Sequence, residues 1–168
     1  RYNCGRFILF LRNDIIGFPP NVGHHHQDFG HFVLFVDNQE VIIDVGRNNY
    51  NNKIEIFSHA HNTIEIDNFG VIPRSPHKYP YKYSQFSNSI NSKKRMDKTI
   101  ISISTNGFSR LKEKIFWERK FILGDNEFII NDHITGSNNS LVSSYFHWAD
   151  KILLTKESIN KIGLKSEL

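Results

Sequence analysis

Short apolar runs separated by polar turns recur along the whole chain. Residues 6–11 form one such run, residues 31–36 and 41–45 flank a polar turn, and residues 63–67 alternate between apolar and polar side chains. Runs of this length are typical of strands rather than of helices. Further strands are predicted in the second half of the chain, over residues 99–104, 115–123, 127–131 and 141–148. Regularly spaced strands with turns between them predict an all-β fold, built as an antiparallel β-sandwich.

Composition strengthens this prediction and removes several classes of function. Phe, Tyr and Ile are abundant whereas Ala occurs only twice, a bias that favours pleated strands over helices. The 21 Lys and Arg against 17 Asp and Glu leave a net charge of +4, which is too small for a nucleic-acid-binding footprint. A single cysteine, Cys4, excludes an internal disulfide and a cysteine-based zinc site. No apolar run reaches the length of a membrane-spanning helix.

The organisation of the chain is simple. Residues 73–95 are rich in Pro, Tyr, Ser, Asn and Lys and are predicted to form a long surface loop. A length of 168 residues allows one domain or at most two small ones, and we expect a single β-sandwich domain over residues 1–168. The chain begins at Arg1, without an initiator Met or signal peptide, and is expected to be a processed protein or a piece of a longer one.

Chemistry-bearing side chains are concentrated in residues 23–28, GHHHQD. If this stretch is extended, His24, His26 and Asp28 project to one face and His25 to the other. Imidazole nitrogens and carboxylate oxygens suit a divalent cation, zinc first. The alternative is a polar loop in which three histidines happen to cluster. Spacing alone does not decide between a metal or catalytic site and such a loop.

Two further residues are candidates to complete a metal site. Asp44 ends the apolar run at residues 41–43, and His61 begins the next predicted strand. Two histidines and one aspartate, with a fourth position for water, form a common zinc arrangement.

The predicted hairpin limits how such a site can form. A two-residue turn at residues 38–39 leaves His26 roughly 23 Å along a straight strand from the position opposite Asp44. The site therefore requires the chain to bend near residues 29–30, where a glycine permits a kink. A rival pairing of His31 with Asp44 describes a satisfied core histidine that needs no metal.

These motifs resemble those of the heparinase II/III-like polysaccharide lyases. The family pattern is GHxHxD, then a hydrophobic run into DPGxxxY, then AHNT with alternating hydrophobic positions and a final D. Three motifs carry the resemblance in this chain: GHHHQD at 23–28, VIIDVG at 41–46 followed by Tyr50, and HNTIEID at 61–67. Residues 114–119 and 128–132 also resemble the family's C-terminal strands, so the resemblance covers roughly residues 6–150. Val45 departs from the family pattern, which has Pro there.

The resemblance implies a set of roles for these residues. In the family a helical toroid precedes an all-β sandwich, the active cleft lies between them, and this chain is similar to the sandwich alone. The resemblance implies that His26, Asp44 and His61 bind a structural zinc ion. It also implies that His24 is catalytic and faces the cleft, and that His24 and Tyr50 contact substrate. The general base and acid are implied to lie mostly on the toroid.

The function implied by the resemblance is that of a zinc-containing sandwich from a polysaccharide lyase. Such a lyase cleaves glycans that contain uronic acid, heparin- or heparan-like or alginate-like, by β-elimination. The implied partners are an acidic polysaccharide and the toroid of a longer parent, with a periplasmic or secreted location, and this chain alone is expected to be inactive. One alternative is a non-catalytic carbohydrate-binding or surface-polysaccharide module with a structural zinc. Another is a cupin-like metalloenzyme, although the Glu expected soon after the second histidine is missing.

Overall fold

Antiparallel strand pairing dominates the structure. The computed structural model describes residues 1–13, 26–46, 56–73, 88–111, 115–136, 139–150 and 152, and the backbone alone of 153–158 and 161–166. Within these ranges the strands are β1 (Tyr2–Cys4), β2 (Phe7–Leu11), β3 (Phe32–Val36), β4 (Gln39–Ile42), β5 (Ile64–Ile66), β6 (Asn88–Arg95), β7 (Lys98–Thr105), β8 (Phe116–Leu123), β9 (Phe128–Thr135), β10 (Val142–Ser144), β11 (Ile152–Ser158) and β12 (Lys161–Ser166). Short 3-10 turns occur at Ser58–Ala60 and Gly107–Arg110. No helix in the described residues is long and apolar enough to cross a membrane.

Two four-stranded sheets form the sandwich. One has the order β1-β2-β3-β4 and the other β6-β7-β8-β9, while β5 pairs with β10 and β11 with β12. Aromatic side chains join the two large sheets: the ring of Phe32 on β3 lies 5.1 Å from that of Phe121 on β8 and 6.1 Å from that of Phe128 on β9. The all-β sandwich predicted from the apolar pattern is therefore confirmed.

Buried residues alternate with more exposed ones along strand β8. Trp117, Phe121 and Leu123 point into the core with no exposed surface, as expected for alternate residues of a half-buried strand. Arg119 lies on the same buried face and is also fully buried. Its guanidinium donates to both carboxylate oxygens of Asp132 on β9, at 2.8 and 2.9 Å, which compensates for the loss of water.

The β3–β4 hairpin turns one residue earlier than predicted. Asp37 and Asn38 form the turn, with φ of 51° and 63°, so the prediction of a turn at residues 38–39 is wrong. Asp and Asn tolerate this left-handed conformation, which matches the twist of a tight hairpin. The pairing register also shifts between Leu34 and Phe35, where β4 carries an extra residue. Both features change which residues of β3 lie opposite the end of β4.

The loop predicted at residues 73–95 is wrong over Asn88–Arg95, which forms the edge strand β6. All eight residues of β6 pair with β7, yet all eight are exposed. An edge strand without a buried face carries no apolar alternation, so its sequence resembles that of a loop. Residues 74–87 of the predicted loop lie outside the described part of the chain. The sequence pattern also gave no prediction of β1, β11 or β12.

Candidate metal centre

A tight turn brings the His26 segment back toward the sheets. The N–H of His31 donates to the carbonyl of Asp28 at 3.0 Å, and Gly30 inside this turn has φ of +75°. A Cβ on Gly30 would lie 2.5 Å from Cη2 of Trp117, so both the backbone angle and the packing require glycine. The chain thus bends at the position where the sequence analysis required a kink.

Asn62, the residue that follows His61, is hydrogen-bonded to three other segments of the chain. Its backbone N–H donates to Nδ1 of His31 at 3.0 Å. Its side-chain amide donates to the carbonyls of Phe32 and Ile43, both at 2.8 Å, and its Oδ1 accepts from the N–H of His147 at 2.7 Å. Asn62 is fully buried, so these bonds replace water completely. They explain why an asparagine follows the histidine in this motif.

Arg119 supports the same segments from the core. Its Nη1 donates to the carbonyl of Asn62 at 2.7 Å and to that of Gly30 at 3.2 Å. Next to these bonds, the hydroxyl of Thr63 donates to the carbonyl of Phe29 at 2.6 Å. The loop that carries His31 and the strand start that carries His61 are therefore fixed to one another and to β8.

His61 lies at the centre of a group of histidines and carboxylates. Its side chain is almost fully buried, and its Nδ1 lies 3.5 Å from Oδ1 of Asp44. Nε2 of His31 lies 3.3 Å from Oδ2 of the same carboxylate, and the ring of His26 lies 5.1 Å from the ring of His61. Neither ring nitrogen of His61 makes a hydrogen bond within the described residues. A buried imidazole whose nitrogens make no hydrogen bond can use a ring nitrogen to bind a metal ion.

Two overlapping sets of side chains have the geometry to hold a metal ion. In each set one candidate ligand atom per residue lies within 4.8 Å of the others: His26, Asp28 and His61, and His31, Asp44 and His61. Ligand atoms around a tetrahedral zinc ion are roughly 3.3 Å apart, so a small contraction suffices. Asp28 already forms an ion pair with Arg12 at 3.0 Å.

The charges of the cluster favour a cation. Burial by itself raises the pKa of Asp44, but interactions with His31, His61 and the N–H of Gly46 outweigh it and hold the pKa of that carboxyl well below its usual range. Burial lowers the pKa of His147 beside the cluster, which favours its neutral form. The site therefore presents an ionised carboxylate at neutral pH, which attracts a cation.

The predicted site residues have different outcomes. The structure brings Asp44 and His61 together and places the ring of His26 beside His61, but His26 and Asp44 belong to different sets, and the assignment of these three as ligands stays a prediction. His24 and Tyr50 lie outside the described residues, so their roles also stay predictions.

Two residues outside the implied ligand set also belong to the cluster. His31 contacts Asp44, as in the rival pairing, and Asp28, which was predicted on the same face as His26, lies in one candidate ligand set with His26 and His61. The burial of Arg119 could have been predicted from its position, because it lies on the same face of an alternating strand as Trp117 and Phe121.

The class of domain is defined by an antiparallel β-sandwich that carries a partly buried cluster of His and Asp side chains, in which His61 and His31 are buried and Asp44 is exposed. Residues 1–166 match the family described as Heparinase II/III-like, C-terminal, and the chain belongs to that family. No curated protein matches the chain. The family match agrees with the motif resemblance and extends it to nearly the whole chain.

Proposed function

We propose that this chain is the zinc-containing sandwich part of a polysaccharide lyase that cleaves glycans containing uronic acid by β-elimination. The observation that carries the proposal is the cluster around His61, built on a sandwich of the heparinase II/III-like family. The cluster and the family motifs share His26, Asp28, Asp44 and His61.

The proposed zinc ligands are His26, Asp44 and His61. Two imidazoles and one carboxylate are a common zinc donor set, and the buried His61, whose ring nitrogens make no hydrogen bond among the described residues, fits a metal. When bound, the ion would supply a positive charge that crosslinks the three segments. This role is structural: it holds the loops that border the proposed cleft.

His24 is the proposed catalytic residue of this chain. It lies two residues before His26, so on an extended segment their Cβ atoms are roughly 6 to 7 Å apart. One imidazole can then reach the metal while the other reaches a glycan. A neutral imidazole can relay a proton, and a charged one can pair with a uronate, next to the proposed substrate contact Tyr50.

The reaction is a proton abstraction followed by loss of a leaving group. A base removes the proton α to the uronate carboxyl, and the electron pair becomes the new carbon–carbon double bond. The glycosidic oxygen leaves and takes a proton from an acid. Most of these groups are proposed to lie on an N-terminal toroid of a longer parent, which is proposed to be periplasmic or secreted.

The test is made in the full-length parent, with heparan-like and alginate-like glycans in parallel. His24→Ala should severely reduce the formation of unsaturated uronate, followed by its ultraviolet absorbance, and leave the zinc content unchanged. The matched control is His25→Ala, whose side chain is expected on the other face and whose activity should stay near wild type.

Three outcomes would contradict the proposal. Loss of zinc together with activity would make His24 a ligand. Full activity in His24→Ala would remove its catalytic role. Glycan binding by a wild-type parent that produces no unsaturated product would support the alternative, a non-catalytic carbohydrate-binding module.

A further inference from the structure

His31 lies beside the proposed zinc ligands, but both of its ring nitrogens contact other groups of the protein. The residue is buried, and its ring meets that of His61 edge-on with centroids 5.3 Å apart. On one side, Nδ1 accepts the N–H of Asn62 at 3.0 Å. On the other side, Nε2 lies 3.3 Å from Oδ2 of Asp44. Each ring nitrogen therefore has its own partner.

These partners determine the tautomer of His31. A nitrogen that accepts a backbone N–H carries no proton, so the proton of the neutral ring is on Nε2. Nε2 is then a donor, and the Asp44 carboxylate in front of it is an acceptor. A ring flipped by 180° would put a carbon against the buried N–H of Asn62 and leave that amide without an acceptor, which native structures rarely tolerate. The geometry thus favours one ring orientation and one tautomer.

We propose that His31 is a positioning residue that holds the Asp44 carboxylate through its Nε2–H, and is not itself a metal ligand. This inference rests on the proposed metal site. A protonated Nε2 has no lone pair for a metal, although distances alone would include His31 in a ligand set. With Oδ2 held by His31, Oδ1 remains directed at His61, at 3.5 Å from its Nδ1. The second nitrogen ligand must then come from another histidine, as His26 would provide.

Such a role has a known physical effect. Groups that hydrogen-bond a ligating carboxylate fix its orientation, and their loss typically weakens metal binding 10- to 100-fold. The chain also fixes His31 itself, since Asn62 donates to it and is held in turn by Arg119. Rigid placement of a donor of this kind is expected at a site that must hold one geometry.

Two substitutions separate the two functions of the His31 ring. His31→Gln keeps an N–H near the Nε2 position and loses the acceptor for Asn62, whereas His31→Asn keeps the acceptor and loses the donor to Asp44. Both remove imidazole, and both disturb one buried hydrogen bond. Zinc affinity is measured by competition with a chelator, and visible absorption of the cobalt-substituted proteins reports the ligand set. Circular dichroism checks folding.

We expect His31→Gln to keep zinc affinity within about threefold of wild type and to leave the cobalt spectrum unchanged. His31→Asn should weaken zinc binding about 10- to 100-fold. Equal loss in both variants with a changed cobalt spectrum would make His31 a ligand, and unchanged affinity in both would remove its positioning role; either result overturns the inference.

Nitrogen-15 spectra of the histidine rings of the wild-type protein provide a second test that needs no variant to fold. His31, assigned by the signal absent from His31→Gln or by its coupling to Asn62, should show the Nε2–H tautomer with and without zinc. The Nδ1–H tautomer would overturn the inference. A wild-type protein that binds no zinc would contradict the proposed metal site instead, while the tautomer would still decide the role of His31.

Discussion

Replacement of Arg119 by methionine tests the most deeply buried charge of the structure. The guanidinium has no exposed surface and lies 5.1 Å from the centre of the Trp117 ring. Methionine is unbranched and apolar and matches the aliphatic part of the arginine side chain, so it keeps the packing of that part and removes the charge and the donors. The substitution removes the bidentate ion pair with Asp132 and the hydrogen bonds to the carbonyls of Gly30 and Asn62.

The size of the effect follows from these contacts. Removing one partner of a buried ion pair costs about 3–5 kcal/mol, because the other charge is left without compensation. The side chain of Asp132 is 18% exposed and keeps the hydrogen bond from the indole N–H of Trp117 at 2.9 Å, which reduces the cost. The two orphaned carbonyls increase it again. We therefore expect a loss of about 4 kcal/mol.

Urea unfolding followed by tryptophan fluorescence measures this loss. With a typical slope of ~2 kcal/mol per molar urea, the midpoint of Arg119→Met should fall by about 2 M. Arg119→Met combined with Asp132→Leu should recover part of the loss, since no unpaired charge remains. The control is Lys98→Met, which breaks the exposed pair with Glu127 and should leave the midpoint unchanged. A midpoint for Arg119→Met within about 0.5 M of wild type, or about 1 kcal/mol at that slope, would show that the buried charge and its hydrogen bonds contribute little to stability.

Three further predictions concern the frame of the site and the activity of the chain. Gly30→Ala should destabilise the protein by about 1–3 kcal/mol more than Gly46→Ala in urea unfolding. Both glycines have positive φ, but only a Cβ on Gly30 meets Trp117, whereas Gly46 has nothing within 4 Å, and equal losses would contradict this. Asn62→Ala removes three side-chain hydrogen bonds of a fully buried residue and should cost about 3 kcal/mol and weaken zinc binding; a change below about 1 kcal/mol would be inconsistent with these contacts. The 168-residue chain alone should produce no unsaturated uronate from glycans that the full-length parent cleaves, and robust turnover would contradict the division of roles with a toroid.

The sequence predicted strands well where one face is buried. β2, β3 and β8 contain apolar runs or alternation, and each was placed to within one or two residues. β6 was missed because it has no buried residue, and only its pairing with β7 reveals it. That pairing is long-range information, which local pattern does not carry.

The candidate site was predictable only in part for a similar reason. Residue types and spacing indicated that Asp44 and His61 belong together, with a bend at Gly30. The contact between His31 and Asp44 depends on the exact turn at Asp37 and on the bulge in the hairpin, which change the register. A shift of one residue reverses which side chains face each other, so a strand-level prediction leaves such contacts open.

Zinc analysis of the purified protein shows whether the cluster around His61 is a metal site. Elemental analysis should find one zinc ion per chain, and His61→Gln should lose it while remaining folded by circular dichroism. His133→Gln, at an exposed histidine of β9, is the control and should retain the ion. A folded wild-type protein that neither contains zinc nor binds added zinc would contradict a metal site in this cluster. A His61→Gln protein that keeps one zinc ion per chain would contradict the role of His61 as a ligand.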